Sequence, residues 1–351
     1  MAIGAFGDLH LTKEPLRIVS VLNFLDYIHK YCLEHNIKHL VNLGDLNDRP
    51  ELKSDAFVPV FRKLCEISKD VNIYSIIGNH ELKDKAGNDT LIETFSSFGT
   101  FIQNSSTIEI DGINYDFMSY TDNPQDIPKK GRVLFGHLEV EGFYYNPKRK
   151  IEGSVFTTDM FDSYELVVSG HLHHEQHRDN FEFVGSPYPT NRGEGGKKNY
   201  FAVIDGTSCQ LVEYNDGPDY LTINAESFNK DIDYTNKIVT VQISKKVENF
   251  VKLRDILFEK GALEVNPEFI KEEIIDTSDH KVDTNEGVVK SAAKYLQEVK
   301  APEIDNDKLL KCFKEVLKRC QWILCQWILK IFLHILKNFF LAMILKYFKM
   351  T

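Results

Sequence analysis

The sequence predicts an α/β fold in which helices cover a β-sheet, followed by a smaller α/β accessory domain. Two observations predict it. The first 215 residues alternate short β-rich apolar runs with amphipathic stretches, and a shorter βαβ-like pattern begins after a turn-rich junction at residues 214–218. The chain of 351 residues is long enough for this division, because a typical domain has roughly 150 residues.

Hydrophobic spacing predicts the first elements of the larger domain. Residues 16–34 are expected to form a helix, because apolar side chains recur there at intervals of three and four residues. They are Ile18, Leu22, Leu25, Ile28 and Cys32. A second helix is expected to begin at Ser54 and to contain Pro59, which favours a kink. Strands are predicted at residues 108–110, 113–118 and 132–135.

The second half of the chain is predicted to contain three further parts. In the accessory domain we expect a strand at residues 237–243, a helix at 250–260 and a strand at 262–265. A polar, unpatterned stretch then indicates a linker. The resulting division is 1–217 for the larger domain, 218–275 for the accessory domain, 276–305 for the linker and 306–351 for a hydrophobic helical tail.

The tail differs sharply in composition from the rest of the chain. After Glu315 there is no further acidic residue, and a five-residue repeat at 320–329 fits neither a heptad nor one helical face. Three interpretations stay open: a partner-binding helix, a membrane-associated helix, or an aberrant carboxyl terminus produced by a shift of reading frame. No stable transmembrane anchor is expected, because polar residues such as Lys330 interrupt the ~20 apolar residues that a span needs.

Charge and cysteine content limit the classes of function. The net charge is −10, from 52 acidic residues against 42 lysines and arginines, which argues against a partner held by a globally basic surface. Bound divalent cations would nevertheless invert the charge locally and allow phosphates to bind. Six cysteines without disulfide or zinc-site spacing, and no signal-peptide pattern in residues 1–6, predict a cytoplasmic protein, in the host cytoplasm if the chain is viral.

One local pattern occurs five times in the first 173 residues: an apolar strand, then glycine, then a side chain that can bind a metal. The five instances are Gly7-Asp8-Leu9-His10, Gly44-Asp45, Gly78-Asn79-His80, Gly136-His137 and Gly170-His171-Leu172-His173. Sites in open α/β sheets form where loops converge at the carboxyl ends of strands. A single Gly-Asp or Gly-His is more often a simple turn, but five together favour a metal site.

The residue types indicate which metal the site binds. Carboxylate, amide and imidazole ligands without thiolates suit Mn²⁺, Fe²⁺ or Zn²⁺ and argue against a structural zinc site. The predicted ligands are Asp8, His10, Asp45, Asn79, His137, His171 and His173. Seven ligands are too many for one ion, so we expect two ions about 3.5–4 Å apart, bridged by a carboxylate such as Asp45. His80, which directly follows a predicted ligand, is interpreted as catalytic.

These motifs, with Gly44-Asp45-Leu46-Asn47-Asp48 and Gly78-Asn79-His80-Glu81, resemble the calcineurin-like metallophosphoesterase superfamily. Residues 136–143 and 184–189 are similar to those of SbcD or Mre-eleven-type double-strand-break repair nucleases, including phage recombination endonuclease subunits. The resemblance covers residues 1 to about 270. It implies a four-layer-type β-sandwich flanked by helices, with a capping accessory domain and a helical tail.

The resemblance also implies a role for each site residue. One metal is expected to be held by Asp8, His10, Asp45 and His173, and the other by Asp45, Asn79, His137 and His171. His80 would assist departure of the leaving oxygen, and Asp48 would take an orienting or capping role. The implied activity is that of an Mn²⁺-dependent DNA exonuclease or endonuclease in repair and recombination. The implied partners are DNA and an SbcC-like, SMC-type coiled-coil ATPase, with homodimerisation left open.

Two other functions compete with DNA cleavage. The same scaffold could serve as a small-molecule phosphodiesterase or phosphatase, or as a DNA-end-binding protein whose metals are structural. In the glycine-rich segment at residues 190–198, Arg192 is a candidate contact for DNA phosphates, because its guanidinium matches phosphate geometry. The alternative is that this segment is only a solvated loop.

Overall fold

The computed structural model describes residues 2–50, 54–82, 96–229, 231–243 and 250–270. The chain divides into two units at residue 272, and all described residues lie in the first unit. The predicted linker and tail lie outside the described residues. The division of the chain into four parts therefore stays a prediction.

Helices α1 (Pro15–Glu34), α2 (Ser54–Ile67) and α3 (Phe250–Glu259) lie close to where their hydrophobic spacing predicts them. Helix α1 begins at Pro15, whose fixed φ angle and missing N–H suit the first helical position. Helix α2 continues through Pro59. No helix among the described residues is long and apolar enough to cross a membrane.

The described residues form seventeen strands. They are β1 (Ala2–Phe6), β2 (His39–Asn42), β3 (Asn72–Ile76), β4 (Thr100–Ile102), β5 (Ser106–Ile110), β6 (Ile113–Met118), β7 (Val133–His137), β8 (Tyr144–Asn146), β9 (Arg149–Lys150), β10 (Leu166–Gly170), β11 (Gln176–Arg178), β12 (Phe181–Phe183), β13 (Tyr200–Asp205), β14 (Ser208–Glu213), β15 (Asp219–Asn224), β16 (Lys237–Ile243) and β17 (Glu264–Phe269). The predicted strands in the larger domain correspond to parts of β5, β6 and β7.

Two six-stranded mixed sheets form the larger part of the fold. The first has the order β14-β13-β1-β2-β3-β4 and the second the order β11-β12-β10-β7-β6-β5. In the first sheet β1, β2, β3 and β4 are parallel neighbours, and in the second β6, β7, β10 and β12 are. The carboxyl ends of each parallel set therefore lie at one edge of its sheet.

The two sheets face each other across a shared apolar core, because side chains alternate along each strand. Ile3 and Ala5 of β1 point into this core, whereas Phe6 packs on the opposite face of the first sheet. On the second sheet Phe135 of β7 faces the shared core and Leu134 packs on the outer face. The predicted α/β class, with several sheets and few helices, is confirmed.

Different elements cover the outer faces of the two sheets. Helices α1 and α2 supply the apolar side chains that pack on the first sheet. The outer face of the second sheet is covered mainly by residues from connecting segments, such as Phe143, Phe156 and Phe161. These connecting segments contain only short elements, such as β8, β9 and a 3₁₀ turn at Thr158–Phe161, and burial of their aromatic side chains holds them on the sheet.

A separate three-stranded parallel sheet follows, with the order β15-β16-β17, and α3 connects its last two strands. Strand β15 was not expected, because it has no fully buried position and so lacks a clear apolar pattern. Strand β17 begins two residues later than predicted and contains Pro267. Proline is tolerated there because β17 is an edge strand of this sheet.

Candidate metal centre

Five loops bring polar side chains together at the carboxyl ends of the parallel strands. The loops follow β1, β2 and β3 in the first sheet and β7 and β10 in the second. The structure brings together all eight residues that the sequence predicts as metal-binding or catalytic. They are Asp8, His10, Asp45, Asn79, His80, His137, His171 and His173.

The backbone of these loops adopts an uncommon conformation at four of the predicted residues. The φ angles are +59° at Asp8, +44° at His10, +51° at Asp45 and +83° at His171. This left-handed region costs free energy for residues with a side chain, and such residues cluster at functional sites. Two backbone hydrogen bonds between the loops, from Asp8 N to Gly44 O at 3.0 Å and from His10 N to Asp45 O at 2.9 Å, hold this geometry.

Glycine is required at two positions where the loops touch. Gly44 has a φ angle of +94°, and a Cβ atom there would lie 2.7 Å from Nδ1 of His137. A Cβ atom on Gly78 would overlap the carboxylate of Asp45. Since neither carboxylate nor imidazole could then keep its place, these two glycines set how closely the loops approach.

One group of potential ligands is formed by Asp8, His10 and His173. The Nε2 atoms of the two imidazoles are 2.9 Å apart. Both carboxylate oxygens of Asp8 lie 3.1 Å from the backbone N–H of His171, which holds the carboxylate in place. Asp8 is fully buried and His10 is 4 % exposed, so a cation here would be largely removed from solvent.

A second group is formed by Asp45, His137 and His171. The amide oxygen of Asn79 adds a fourth potential ligand, 3.1 Å from Nε2 of His137 and 2.9 Å from Nδ1 of His171. These four residues are the second set that the sequence resemblance implies. A mixed set of nitrogen and oxygen atoms suits divalent cations such as Mn²⁺, Fe²⁺ or Zn²⁺.

Asp45 lies between the two groups. Its Oδ2 atom is 3.7 Å from Nε2 of His10 in the first group and 3.4 Å from Nε2 of His137 in the second. Its other oxygen accepts a hydrogen bond from the backbone N–H of His80 at 2.9 Å. One carboxylate is therefore within reach of ligands from both groups, as a bridging position requires.

Each of three histidines is oriented by a partner on its other ring nitrogen. Nδ1 of His137 donates to the carbonyl oxygen of Leu43 at 2.7 Å. Nδ1 of His173 lies 2.8 Å from Glu194, and Nε2 of His171 lies 3.3 Å from Glu139. Such partners fix the tautomer and aim the opposite nitrogen at the site. No local sequence pattern predicts these contacts of Glu139 and Glu194.

Glu81 joins two of the loops. Its carboxylate accepts hydrogen bonds from the backbone N–H groups of Asp45 at 3.1 Å, Asn47 at 3.1 Å and Gly78 at 2.7 Å. Burial, with the nearby charge of Asp45, raises the pKa of Glu81 to about 7. The sequence places Glu81 in a motif but gives no sign of these backbone contacts.

Asp45 and His137 form a buried pair of opposite charges. Burial alone would lower the pKa of His137, but the Asp45 carboxylate raises it to about 9. Burial would likewise raise the pKa of Asp45, but His137 holds it well below its usual range. The proton on His137 thus balances the negative charge of the cluster, and a cation would take its place.

His80 occupies the open side of the site. Its side chain is 39 % exposed, and its Nδ1 atom donates to the backbone oxygen of Asp48 at 2.9 Å. This leaves Nε2 as the nitrogen available to a bound molecule. The Asp48 carboxylate lies 3.5 Å from Nδ1 of His10, so Asp48 contacts the imidazoles of both His10 and His80.

Arg192 lies in the predicted glycine-rich loop, and its guanidinium is engaged. It makes a two-pronged ion pair with Glu268 of β17, with distances of 2.8 and 2.9 Å, and a bond to Thr222 of β15. Its predicted contact with DNA phosphates stays a prediction, and this ion pair would have to open first. Glu194 in the same loop bonds His173, so the loop is more than a solvated connection.

Residues 1–175 match the family model for calcineurin-like phosphoesterases, and this match spans all five loops of the site. This part of the chain is similar to members of that family. The five loops of this part carry both groups of potential ligands described above.

Two solved structures are similar to this chain. An archaeal phosphodiesterase is 14 % identical, with 61 % of this chain and 99 % of that chain covered and a TM-score of 0.35. A dimetal phosphatase from Danio rerio is 11 % identical, with 61 % and 99 % covered and a TM-score of 0.38. Among curated proteins no significant match is found.

Proposed function

We propose that the chain is a divalent-metal-dependent DNA nuclease that hydrolyses phosphodiester bonds at a dinuclear centre. The observation that carries the hydrolytic part is the position of Asp45, whose Oδ2 atom lies within 3.7 Å of ligands from both groups. The sequence resemblance to SbcD or Mre-eleven-type nucleases supports DNA as the substrate. The sheet β15-β16-β17, beside the loop that carries Glu194, offers additional surface for a long substrate.

The residues present fit two divalent cations, because both groups combine buried carboxylates with imidazoles whose outer nitrogens are already bonded. We assign one cation, most consistent with Mn²⁺, to the first group of ligands and one to the second. The first comprises Asp8, His10, Asp45 and His173, and the second comprises Asp45, Asn79, His137 and His171. When bound, the cations would supply Lewis-acid stabilisation of charge on the phosphate and activation of water.

His80 has the position needed for proton donation to the leaving oxygen. Its Nδ1–H is held by the carbonyl of Asp48, so a second proton would reside on Nε2, facing the open side. The protonated ring can therefore donate to the sugar oxygen when the phosphodiester bond breaks.

A small-molecule phosphodiesterase or phosphatase is the second candidate, and a cavity favours it. The cavity has a volume of about 880 Å³, is lined mainly by polar side chains, and includes Tyr120. The Tyr120 ring also lies 5.9 Å from the His171 ring, so the cavity borders the proposed metal centre. A volume of this size is typical of pockets that bind small organic molecules.

Cleavage of two substrates separates these candidates. End-labelled linear DNA and a small chromogenic phosphodiester are incubated with wild type and His173→Ala, in the presence of Mn²⁺, Mg²⁺ or a chelator. We expect Mn²⁺-dependent cleavage of DNA that His173→Ala abolishes. Rapid cleavage of the small ester with intact DNA would instead favour the second candidate. Chelator-resistant cleavage in the wild type would overturn both.

The proposed partner is an SbcC-like, SMC-type ATPase, with a possible second copy of this chain in the assembly. The segment that the sequence assigns to partner binding, residues 306–351, lies outside the described residues. Size-exclusion chromatography of the full chain and of a chain ending at residue 305, each with such an ATPase, tests this assignment. Equal complex formation by both chains would contradict it.

A further inference from the structure

The hairpin formed by β8 and β9 carries a concentrated positive charge that the proposed catalytic steps do not use. Lys148, Arg149 and Lys150 follow one another in its turn and second strand, and all three are exposed. No ion pair joins any of them to another described residue. A local excess of cations on a chain with a net charge of −10 indicates a surface for an anionic ligand.

The base of the hairpin is firmly attached to the second sheet. The Gln176 side chain bonds both backbone groups of Tyr144, accepting from its N–H at 3.0 Å and donating to its carbonyl at 2.8 Å. The Arg178 guanidinium lies 4.1 Å from the centre of the Phe143 ring, at the start of the hairpin. The cations therefore project from a fixed base, which lowers the entropy cost of binding.

Tyr145 links the hairpin to the metal centre. Its ring centre lies 6.1 Å from that of His171, and its hydroxyl bonds Glu139, the carboxylate that contacts Nε2 of His171. On the other side, the Arg149 guanidinium lies 4.6 Å above the Tyr145 ring. The hairpin thus begins beside the metal centre, with Arg149 and Lys150 near its base and Lys148 in its turn.

The spacing favours a polynucleotide over a small phosphoester. Lys150 pairs with Tyr144 at the base of the hairpin, whereas Lys148 in the turn lies up to about 10 Å from Tyr145, at ~3.3 Å for each of three residues. A molecule with one phosphate at the metal centre has no second anion at that distance, whereas a nucleic-acid strand carries one at every nucleotide. Tyr144, which is 43 % exposed, adds an aromatic face on which an unpaired base can stack.

We propose that the β8–β9 hairpin binds the backbone of single-stranded DNA next to the phosphodiester that is cleaved. Lys148 and Lys150 contact phosphates, and Tyr144 stacks on a base. This inference rests on the proposed nuclease function for its substrate. Recognition of the DNA strand is thereby assigned to a hairpin that contains none of the proposed metal ligands.

The test compares two double variants that lose the same charge. Lys148→Gln/Lys150→Gln removes hairpin cations, and Lys38→Gln/Lys69→Gln removes two exposed lysines near the amino ends of β2 and β3, at the opposite edge of the first sheet. Binding of fluorescein-labelled (dT)₁₅ is followed by fluorescence anisotropy in EDTA over a range of salt. Thermal unfolding confirms that each variant is folded.

We expect the hairpin variant to bind (dT)₁₅ about tenfold more weakly than the wild type. The slope of log K against log salt should become less steep by roughly 1.4, because each of the two lost phosphate contacts contributes about 0.7. The Lys38→Gln/Lys69→Gln control should change binding less than twofold. For Tyr144, replacement by alanine should weaken binding about tenfold, while replacement by phenylalanine should preserve it, because only the ring is needed. Equal binding by both lysine variants would overturn the inference.

Cleavage of the same oligonucleotide with Mn²⁺ distinguishes the two proposals. If the wild type binds through the hairpin but cleaves only a small phosphodiester, the inference holds and the nuclease proposal fails. If the wild type cleaves the oligonucleotide and the hairpin variant binds and cleaves it equally well, the nuclease proposal holds and the inference fails. A wild type that neither binds nor cleaves it contradicts both.

Discussion

The buried and the open sides of the metal centre differ in what holds their side chains. Asp8, Asp45 and His137 are at most 1 % exposed and are fixed by strained backbone or by bonds to neighbouring loops. His80 and Asp48 have side chains that are 39 % and 36 % exposed. The buried side therefore has its geometry before any ligand arrives, whereas the open side can adjust to a substrate. Cation binding and turnover should then respond to different substitutions.

Asp45→Asn should have the largest effect, because it removes the only charge shared by the two groups of ligands. We expect kcat/KM for a small phosphodiester to fall at least about 1000-fold, since the loss of a bridged cation removes several kcal/mol of charge stabilisation. Inductively coupled plasma mass spectrometry should show fewer than two Mn²⁺ ions per chain. Asp26→Asn, which removes an exposed carboxylate paired with Lys63, is the control and should keep both ions. An Asp45→Asn protein with two ions and nearly full activity would contradict the bridging role.

His80→Ala should separate turnover from cation binding. We expect kcat for DNA to fall about 10²–10⁴-fold, the usual range for loss of a general acid, with both Mn²⁺ ions retained. A nitrophenyl ester should lose much less activity, because nitrophenolate leaves without protonation. His177→Ala, with an imidazole that is 68 % exposed on β11, serves as the control. An equal loss of kcat for DNA and for the nitrophenyl ester would show that His80 is not the proton donor.

The same contrast explains how much of the site could be predicted from the sequence. The eight residues of the five loops are recognisable because each follows a strand and a glycine in a local pattern. Glu194 is not recognisable in this way, because it lies in a loop that follows no predicted strand. It contacts His173, which is 21 residues away in the sequence. The bond between Glu139 and His171 likewise depends on how two loops of the second sheet meet. Local pattern identifies potential ligands, but tertiary contacts determine what orients them.

The fold shows a similar division between local and tertiary information. Helix α1 and strand β16 have strong apolar patterns and are found close to their predicted limits. Strand β15 has only half-buried and exposed residues, so no apolar pattern marks it as a strand. Its backbone pairing with β16 defines it instead. The prediction is thus best where an element buries one of its faces and poorest where backbone pairing alone defines it.

Glu194→Gln should reduce cation affinity without removing a ligand. The carboxylate lies 2.8 Å from Nδ1 of His173, and loss of such a partner typically weakens metal binding 10–100-fold. Isothermal titration with Mn²⁺ measures the effect. Glu213→Gln is the control, since Glu213 pairs with Lys198 and has no contact with a proposed ligand among the described residues. Unchanged Mn²⁺ affinity in Glu194→Gln would show that His173 does not need this carboxylate.

The last prediction concerns the dependence of metal-free stability on pH. The pKa of His137 is raised from 6.5 to about 9 in the folded protein, so protonation of His137 favours the folded state below pH 6.5. This contribution, on the order of 3 kcal/mol, is lost as the pH rises from 6.5 to 9. His171, whose pKa burial lowers, changes charge below pH 6.5 and does not affect this window.

Thermal unfolding in EDTA between pH 7 and 9 measures this effect. We expect the melting temperature to fall as the pH rises, and the stabilisation by added Mn²⁺ to grow over the same range, because the cation replaces a proton that is bound less tightly at high pH. His137→Gln should make the profile in EDTA shallower but not flat, because burial lowers the pKa of His173 but Glu194 raises it more, to above its usual value. A metal-free melting temperature that rises from pH 7 to 9 would show that the buried side of the site does not hold a proton in place of a cation. The strained loops would then have to be stabilised by some other contact before metal binds.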